Sequence, residues 1–189
     1  LTVLLHRLSH SDDIAIGTPI AGRGRSALDN VVGMFVNTLV LRTTAEPDTS
    51  FSELLAQVRD TDLDAFHHSD VPFERVVDEV APERSTAHSP LFQVMLEFRN
   101  NEQPHLELPG LSVSGVDLTP DISNFDLQLT VTEEFGTAGE PTGLEASFTY
   151  ATSLFDPPTV ERFASYLQRI MAAAAGNPDR PIGDIAVLS

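Results

Sequence analysis

Four segments of this chain change face at every residue, and repeated alternation of that kind commits a chain to building a sheet. In Phe35–Arg42 the residues Phe35, Asn37, Leu39 and Leu41 point one way, and Val36, Thr38, Val40 and Arg42 the other. Leu91–Phe98 places Phe92, Val94, Leu96 and Phe98 on one face. Phe125–Glu134 directs Phe125, Leu127, Leu129 and Val131 inward, and Leu144–Tyr150 aligns Leu144, Ala146, Phe148 and Tyr150. The last two are expected to pair antiparallel across the Gly136–Gly143 loop, which is too long for a two-residue turn. Ile14–Ile20 is a further apolar strand, in which Gly17 and Pro19 predict a bend or an end, at an edge or a bulge. Leu111–Leu118 reads as one more short strand.

Between the strands the period changes to that of a helix. Ser50 and Glu53 form a capping box that opens a helix with Phe51, Leu54, Leu55, Val58 and Phe66 on one face, where Asp62 is a polar intrusion. Pro72 suits the first turn of a second helix faced by Phe73, Val76, Val77 and Val80, with Asp70 as its expected cap. Asp156 and Pro157 open the last helix; Val160, Phe163, Leu167, Ile170, Met171 and Ala174 are its expected buried stripe, and Gly176-Asn177-Pro178 its end. Val3, Leu4, Leu5 and Leu8 finish a helix that has no N-terminal cap, so the sequence reads as beginning in mid-element. Ala45–Ser50 reads as a linker. Residues 1–180 are expected to form one unit, with 181–189 as the onset of a linker outside the core. The order β-β-α-α-β-β-β-β-α predicts an α+β fold, a mixed sheet with helices packed on it.

Composition narrows the class. With 189 residues, 41% of them hydrophobic, the chain can bury a core. A formal net charge of −17, from 28 acidic against 11 basic residues, repels phosphate backbones and anionic membrane surfaces. No apolar run approaches the ~20 residues of a membrane span. The absence of cysteine excludes disulfides and thiolate metal sites and fits a cytoplasmic protein.

The search for chemistry yields few candidates. No GxSxG elbow, HExxH pair or cysteine nucleophile occurs. Gly22 and Gly24 flank Arg23 in a glycine-rich loop, but no P-loop lysine follows. His67, His68 and Asp70 have no third ligand at a suitable spacing for a metal and read as a polar elbow between two helices. Asn37 is a single amide on an apolar strand face. An amide there costs a few kcal/mol unless its donors and acceptors are met. It is either a satisfied structural group or a polar group set into the wall of a cavity.

The segments IGTPIAGR, VVGMFVNTLVLR, HHSDVPFERVV, HSPLFQVML and SNFDLQLTV, in this order and with these gaps, resemble the downstream motifs of nonribosomal peptide synthetase condensation domains. The resemblance covers about Leu1 to Ile185, and RPIGDIAVLS is similar to the linker that leads to an adenylation domain. It implies a chloramphenicol-acetyltransferase-like half domain. In the complete family fold two such lobes form a V around a tunnel. Phosphopantetheine arms of two carrier proteins enter from opposite ends, and the acceptor amine attacks the donor thioester. No cofactor is bound directly.

The signature HHxxxDG lies on the first lobe in this family. His67-His68 does not supply it, because residues 72 and 73 are Pro and Phe. The resemblance therefore implies the second, acceptor-side lobe alone, inactive without its N-terminal lobe, which is its expected partner together with carrier proteins and an adenylation domain. Asn37, Phe35 and Gly33 are expected along the tunnel, joined by Ser123 and Asn124, the latter standing where the family motif has lysine. Gly17, Pro19, Arg23, Arg42, Asp70, Pro72 and Asp126 fall in motif positions with structural roles, the arginines through ion pairs or carbonyl contacts. The Phe125–Tyr150 hairpin is the candidate for a latch that crosses to the other lobe. A non-catalytic relative that recruits partner enzymes is the alternative reading, and FVNT argues against an epimerisation domain.

Overall fold

The alternating segments become the strands of one sheet. A computed structural model describes residues 1–21, 31–80, 88–99, 122–136 and 139–187. The elements are α1 (Thr2–Ser9), β1 (Asp13–Ala21), β2 (Val36–Thr44), α2 (Phe51–His67), α3 (Phe73–Val80), β3 (Val94–Arg99), β4 (Leu127–Phe135), β5 (Pro141–Tyr150), α4 (Pro157–Gly176) and a 3-10 turn (Ile182–Asp184). The strand order is β2-β1-β3-β4-β5, with β1–β2 and β4–β5 antiparallel and both β1–β3 and β3–β4 parallel. This is the expected α+β mixed sheet. The expected Leu111–Leu118 strand and Arg23 lie outside the described residues.

Register aligns Ile16, Leu41, Val94, Leu127 and Tyr150 in one row, and Leu96, Leu129 and Phe148 in the next row on that face. Leu129 is buried against Leu4 of α1, Leu54 of α2 and Leu167 and Ile170 of α4, so the helices cover this face. The opposite face carries a polar cluster on β3 and β4. Glu97 there accepts from Arg99, from Gln128 Nε2 at 3.0 Å and from the Thr130 hydroxyl at 3.4 Å.

Local chemistry sets the helix ends. Ser50 Oγ accepts from the Glu53 N–H at 3.2 Å and Glu53 Oε2 accepts from the Ser50 N–H at 3.0 Å, a complete capping box. Asp156 Oδ1 accepts from the Thr159 N–H at 2.8 Å. Asp70 does not cap α3; the Phe73 N–H donates instead to Asn37 Oδ1 on β2. Sequence spacing identifies a local cap and cannot see one supplied by another element.

Other expectations change as well. β1 does not end at Pro19 but continues in unbroken register to Ala21, paired with Val36. The β1–β3 ladder stops at Gly17–Met95, so the proline leaves no gap in it. Phe92 precedes β3 and leaves its period: Leu91 has a φ of 69°, in the left-handed region, which redirects the chain before the strand begins. Leu55 and Phe66 of α2, Val80 of α3, Leu144 of β5 and Met171 of α4 are exposed, because β5 is an edge strand and the helices press only a narrow stripe inward. Ala45 is fully buried although its segment reads as a linker.

The largest correction concerns the tail. Ile182, Ile185 and Val187 are at most 2% exposed and belong to the core. The tail is bound at several points between Ile182 and Val187. The Ile182 N–H donates to Thr49 O at 2.9 Å, Gly183 N–H to Pro47 O at 2.8 Å, Arg7 Nη1 to Gly183 O at 2.7 Å and Arg169 Nη1 to Val187 O at 3.1 Å. Ile185→Ala is expected to lower the unfolding free energy by about 2–5 kcal/mol in urea denaturation; a change within about 0.5 kcal/mol would restore the linker reading.

Asp62 remains the polar intrusion the sequence suggests. Its Oδ1 is buried with no hydrogen-bond partner, and burial pushes its carboxyl above the usual range. A carboxyl raised on folding leaves stability intact below its unfolded pKa and erodes it as pH rises through the folded value. Asp62→Asn is therefore expected to raise stability at neutral pH by up to about 1 kcal/mol. The gain should shrink as pH falls into the carboxylate range, read by melting at several pH values.

Candidate functional site

The β2 end nearest the α2–α3 elbow carries a cavity of about 340 Å³ lined by Phe35, Val36, Asn37, Thr38, Ser69, Asp70, Pro72, Phe73 and Glu74. Residues singled out from two separate motifs, FVNT and HHSDVPFE, thus meet in one wall. Phe35 and Asn37 line it, and so do Asp70 and Pro72, which were expected only to hold structure.

Asn37 is the hydrogen-bonding centre of this wall. Its Nδ2 donates to Ser69 O at 3.0 Å and to Val71 O at 2.9 Å. Its Oδ1 accepts from the Thr38 N–H at 2.9 Å and from the Phe73 N–H at 3.1 Å. An amide side chain has two donor hydrogens and two acceptor lone pairs, and all four are taken by backbone. The two readings of Asn37 thus converge: it is a satisfied amide and it lies in a cavity wall.

Behind this wall sits an aromatic cluster that links further motifs. Phe92 is 2% exposed, with its ring centroid 5.7 Å from that of Phe73 and 5.5 Å from that of Phe125. A Cβ on Gly17 would stand 2.2 Å from Phe92 Cε2, so the ring occupies the space of the missing side chain. IGTP, VPFE, SPLF and SNFD therefore join through one ring. Sequence reading assigned these phenylalanines to three separate faces and gave Gly17 a bend. A lone glycine inside a strand was the available signal for a close approach.

The other expected site residues lie elsewhere. Gly33 forms a bend, and its Cβ position is 3.1 Å from the Phe35 ring. The Ser123 hydroxyl donates to Phe125 O, while Asn124 is exposed. Neither Ser123 nor Asn124 lines the cavity; Ser123 bonds to Phe125, whose ring meets Phe92, which in turn meets Phe73 of the lining. Asp126 O accepts from the Ala151 N–H at 3.0 Å and ties β4 to the end of β5. Arg42 makes a bidentate pair with Asp13, at 2.8 and 2.7 Å, which holds the Asp13 carboxyl below the usual range. His68, just past the end of α2, has Nδ1 2.8 Å from Asp64 O. Among the described residues the ionisable side chains in the cavity lining are Asp70 and Glu74. Among the described residues no helix is long and apolar enough to cross a membrane.

The profile of the condensation-domain family matches residues 1–189. The chain belongs to this family. It is 48% identical over 189 residues to CymA, a probable non-canonical nonribosomal peptide synthetase of Salinispora arenicola, covering 100% of this chain and 2% of that protein. Against a dimodular nonribosomal peptide synthase of Bacillus subtilis the identity is 43% over 189 residues, 100% of this chain and 8% of the relative. The X-domain from teicoplanin biosynthesis superposes with a TM-score of 0.89 at 30% identity, over 99% of this chain and 42% of that one. The four-domain nonribosomal peptide synthetase AB3403, bound to AMP and glycine, gives 0.86 at 25% identity, over 99% and 15%. The chain thus spans a small part of its curated relatives, and its mixed five-stranded sheet is that of condensation-domain structures.

Gly17→Ala forces a methyl group into the Phe92 ring, which backbone and neighbouring rings hold in place. It is expected to cost about 1–3 kcal/mol in urea denaturation. Phe92→Leu in the same chain should recover part of that loss, whereas additive losses would separate the two residues.

Proposed function

We propose that this chain is the acceptor-side half of a condensation domain, which joins aminoacyl and peptidyl groups carried as thioesters on carrier proteins and is inactive alone. The match of the whole chain to the family, together with its identity to synthetases, carries this reading. The cavity fits a positioning role. It offers backbone, hydroxyl and aromatic groups, and among the described residues its ionisable groups are two acids that lie exposed. An amine attacking a thioester needs orientation and a place for its proton. This wall can orient; the base belongs to the HHxxxDG histidines of the N-terminal lobe. Phosphopantetheine arms would enter between the lobes, and an adenylation domain would follow the anchored tail.

Val36 is 63% exposed in the cavity wall, with Met34 at 90% and Val32 at 100% beside it in sequence. Apolar surface of this kind suits the facing lobe.

The likeness to the X-domain, one of whose structures is a complex with OxyB, favours a second reading in which the complete domain recruits a partner enzyme. A condensation assay with loaded donor and acceptor carriers separates the readings. The chain alone should give background turnover and the two-lobed domain dipeptidyl product. Product from the chain alone would overturn the half-domain reading. A two-lobed domain with a degenerate HHxxxDG and no product would favour recruitment.

A further inference from the structure

We infer that Asn37 is a positioning residue that acts through the α2–α3 elbow and does not touch the reacting groups. The inference deepens the condensation reading and rests on it for the chemistry, but its structural half stands on hydrogen bonding alone.

Among the described residues the elbow's own backbone bonds are turn and helix-end bonds, such as Ser69 N–H to Phe66 O at 3.2 Å, Val71 N–H to His68 O at 3.1 Å and Arg75 N–H to Pro72 O at 2.9 Å. Such bonds shape the elbow and do not attach it to the sheet. Attachment comes from Asn37, which grips Ser69, Val71 and Phe73 from β2, and from the Phe73 ring against Phe92. Ser69, Asp70, Pro72 and Phe73 all line the cavity, so the place of this wall depends on Asn37 together with the Phe73–Phe92 contact.

The amide cannot also serve a substrate. A group that orients a thioester or an amine needs a free N–H or a free lone pair, and Asn37 has neither. Its effect on a reaction is to keep the wall where a bound acceptor would meet it. A displacement of about 1 Å in such a wall can cost up to about 100-fold in rate.

Substitution chemistry separates this from direct contact. Asn37→Asp keeps both acceptors but turns a carboxylate oxygen towards the carbonyls of Ser69 and Val71, so it should loosen the elbow at least as much as Asn37→Ala. Pro72→Gly leaves Asn37 intact and frees the elbow from within. If Asn37 works through the elbow, both routes reach the same state and their effects do not add.

The test is made in the complete two-lobed domain. Hydrogen exchange should show loss of amide protection across 69–75 in Asn37→Ala, and unchanged protection there would overturn the clamp. In the condensation assay Asn37→Ala and Pro72→Gly should each lower kcat/KM for the acceptor about 10- to 100-fold, and the double variant should fall no further. A Pro72→Gly domain with wild-type kinetics, or an additive double variant, would overturn action through the elbow. A wild-type domain that makes no product removes the condensation reading, and the exchange result then decides the clamp by itself.

Discussion

The ring of Phe92 needs the space that a side chain at Gly17 would fill, and this steric requirement joins parts of the chain far apart in sequence. The ring lies on bare backbone of β1, meets Phe73 at the start of α3 and meets Phe125 just before β4. Protein interiors are packed as densely as organic crystals, so a contact this close leaves no slack for a methyl group. The unusual backbone at Leu91, with a φ of 69°, turns the chain so that Phe92 can take this position. Local strain of this kind persists only where surrounding packing over-determines it, which the three rings and the glycine do.

A second economy runs through the polar groups. Asn37 meets the rule that buried polar groups are paired by giving every donor and acceptor to backbone, and in doing so it replaces the cap that α3 does not find in Asp70. Glu97 meets it through Arg99, Gln128 and Thr130. Asp62 fails it at Oδ1. The wall of the cavity is therefore among the well-satisfied parts of the molecule, as pre-organisation of a site requires.

One edge of the sheet, β2, presents FVNT to the cavity, and Asp70 and Glu74 bring their carboxylates there. Ile185 and Val187 are core residues, so the tail is held in the fold up to Val187.

Much was legible in the residues themselves. Period-two alternation located β2, β4 and β5, and the capping box at Ser50 and Glu53 and the Asp156-Pro157 pair located the starts of α2 and α4, because these signals are local and lie within one turn or one strand. The motif order was enough to point to the family. Sequence alone did not reveal that Asn37 caps a helix it does not belong to, that Phe92 sits on Gly17, or that 181–187 closes the core. Each of these is a contact between elements distant along the chain. A tail of isoleucines and valine among prolines and glycines has no period of its own, and what buries it is the surface that α1, α2 and α4 leave open. Local chemistry determined where the elements begin and which faces they offer; only the packing of those faces decided which polar and aromatic groups would meet.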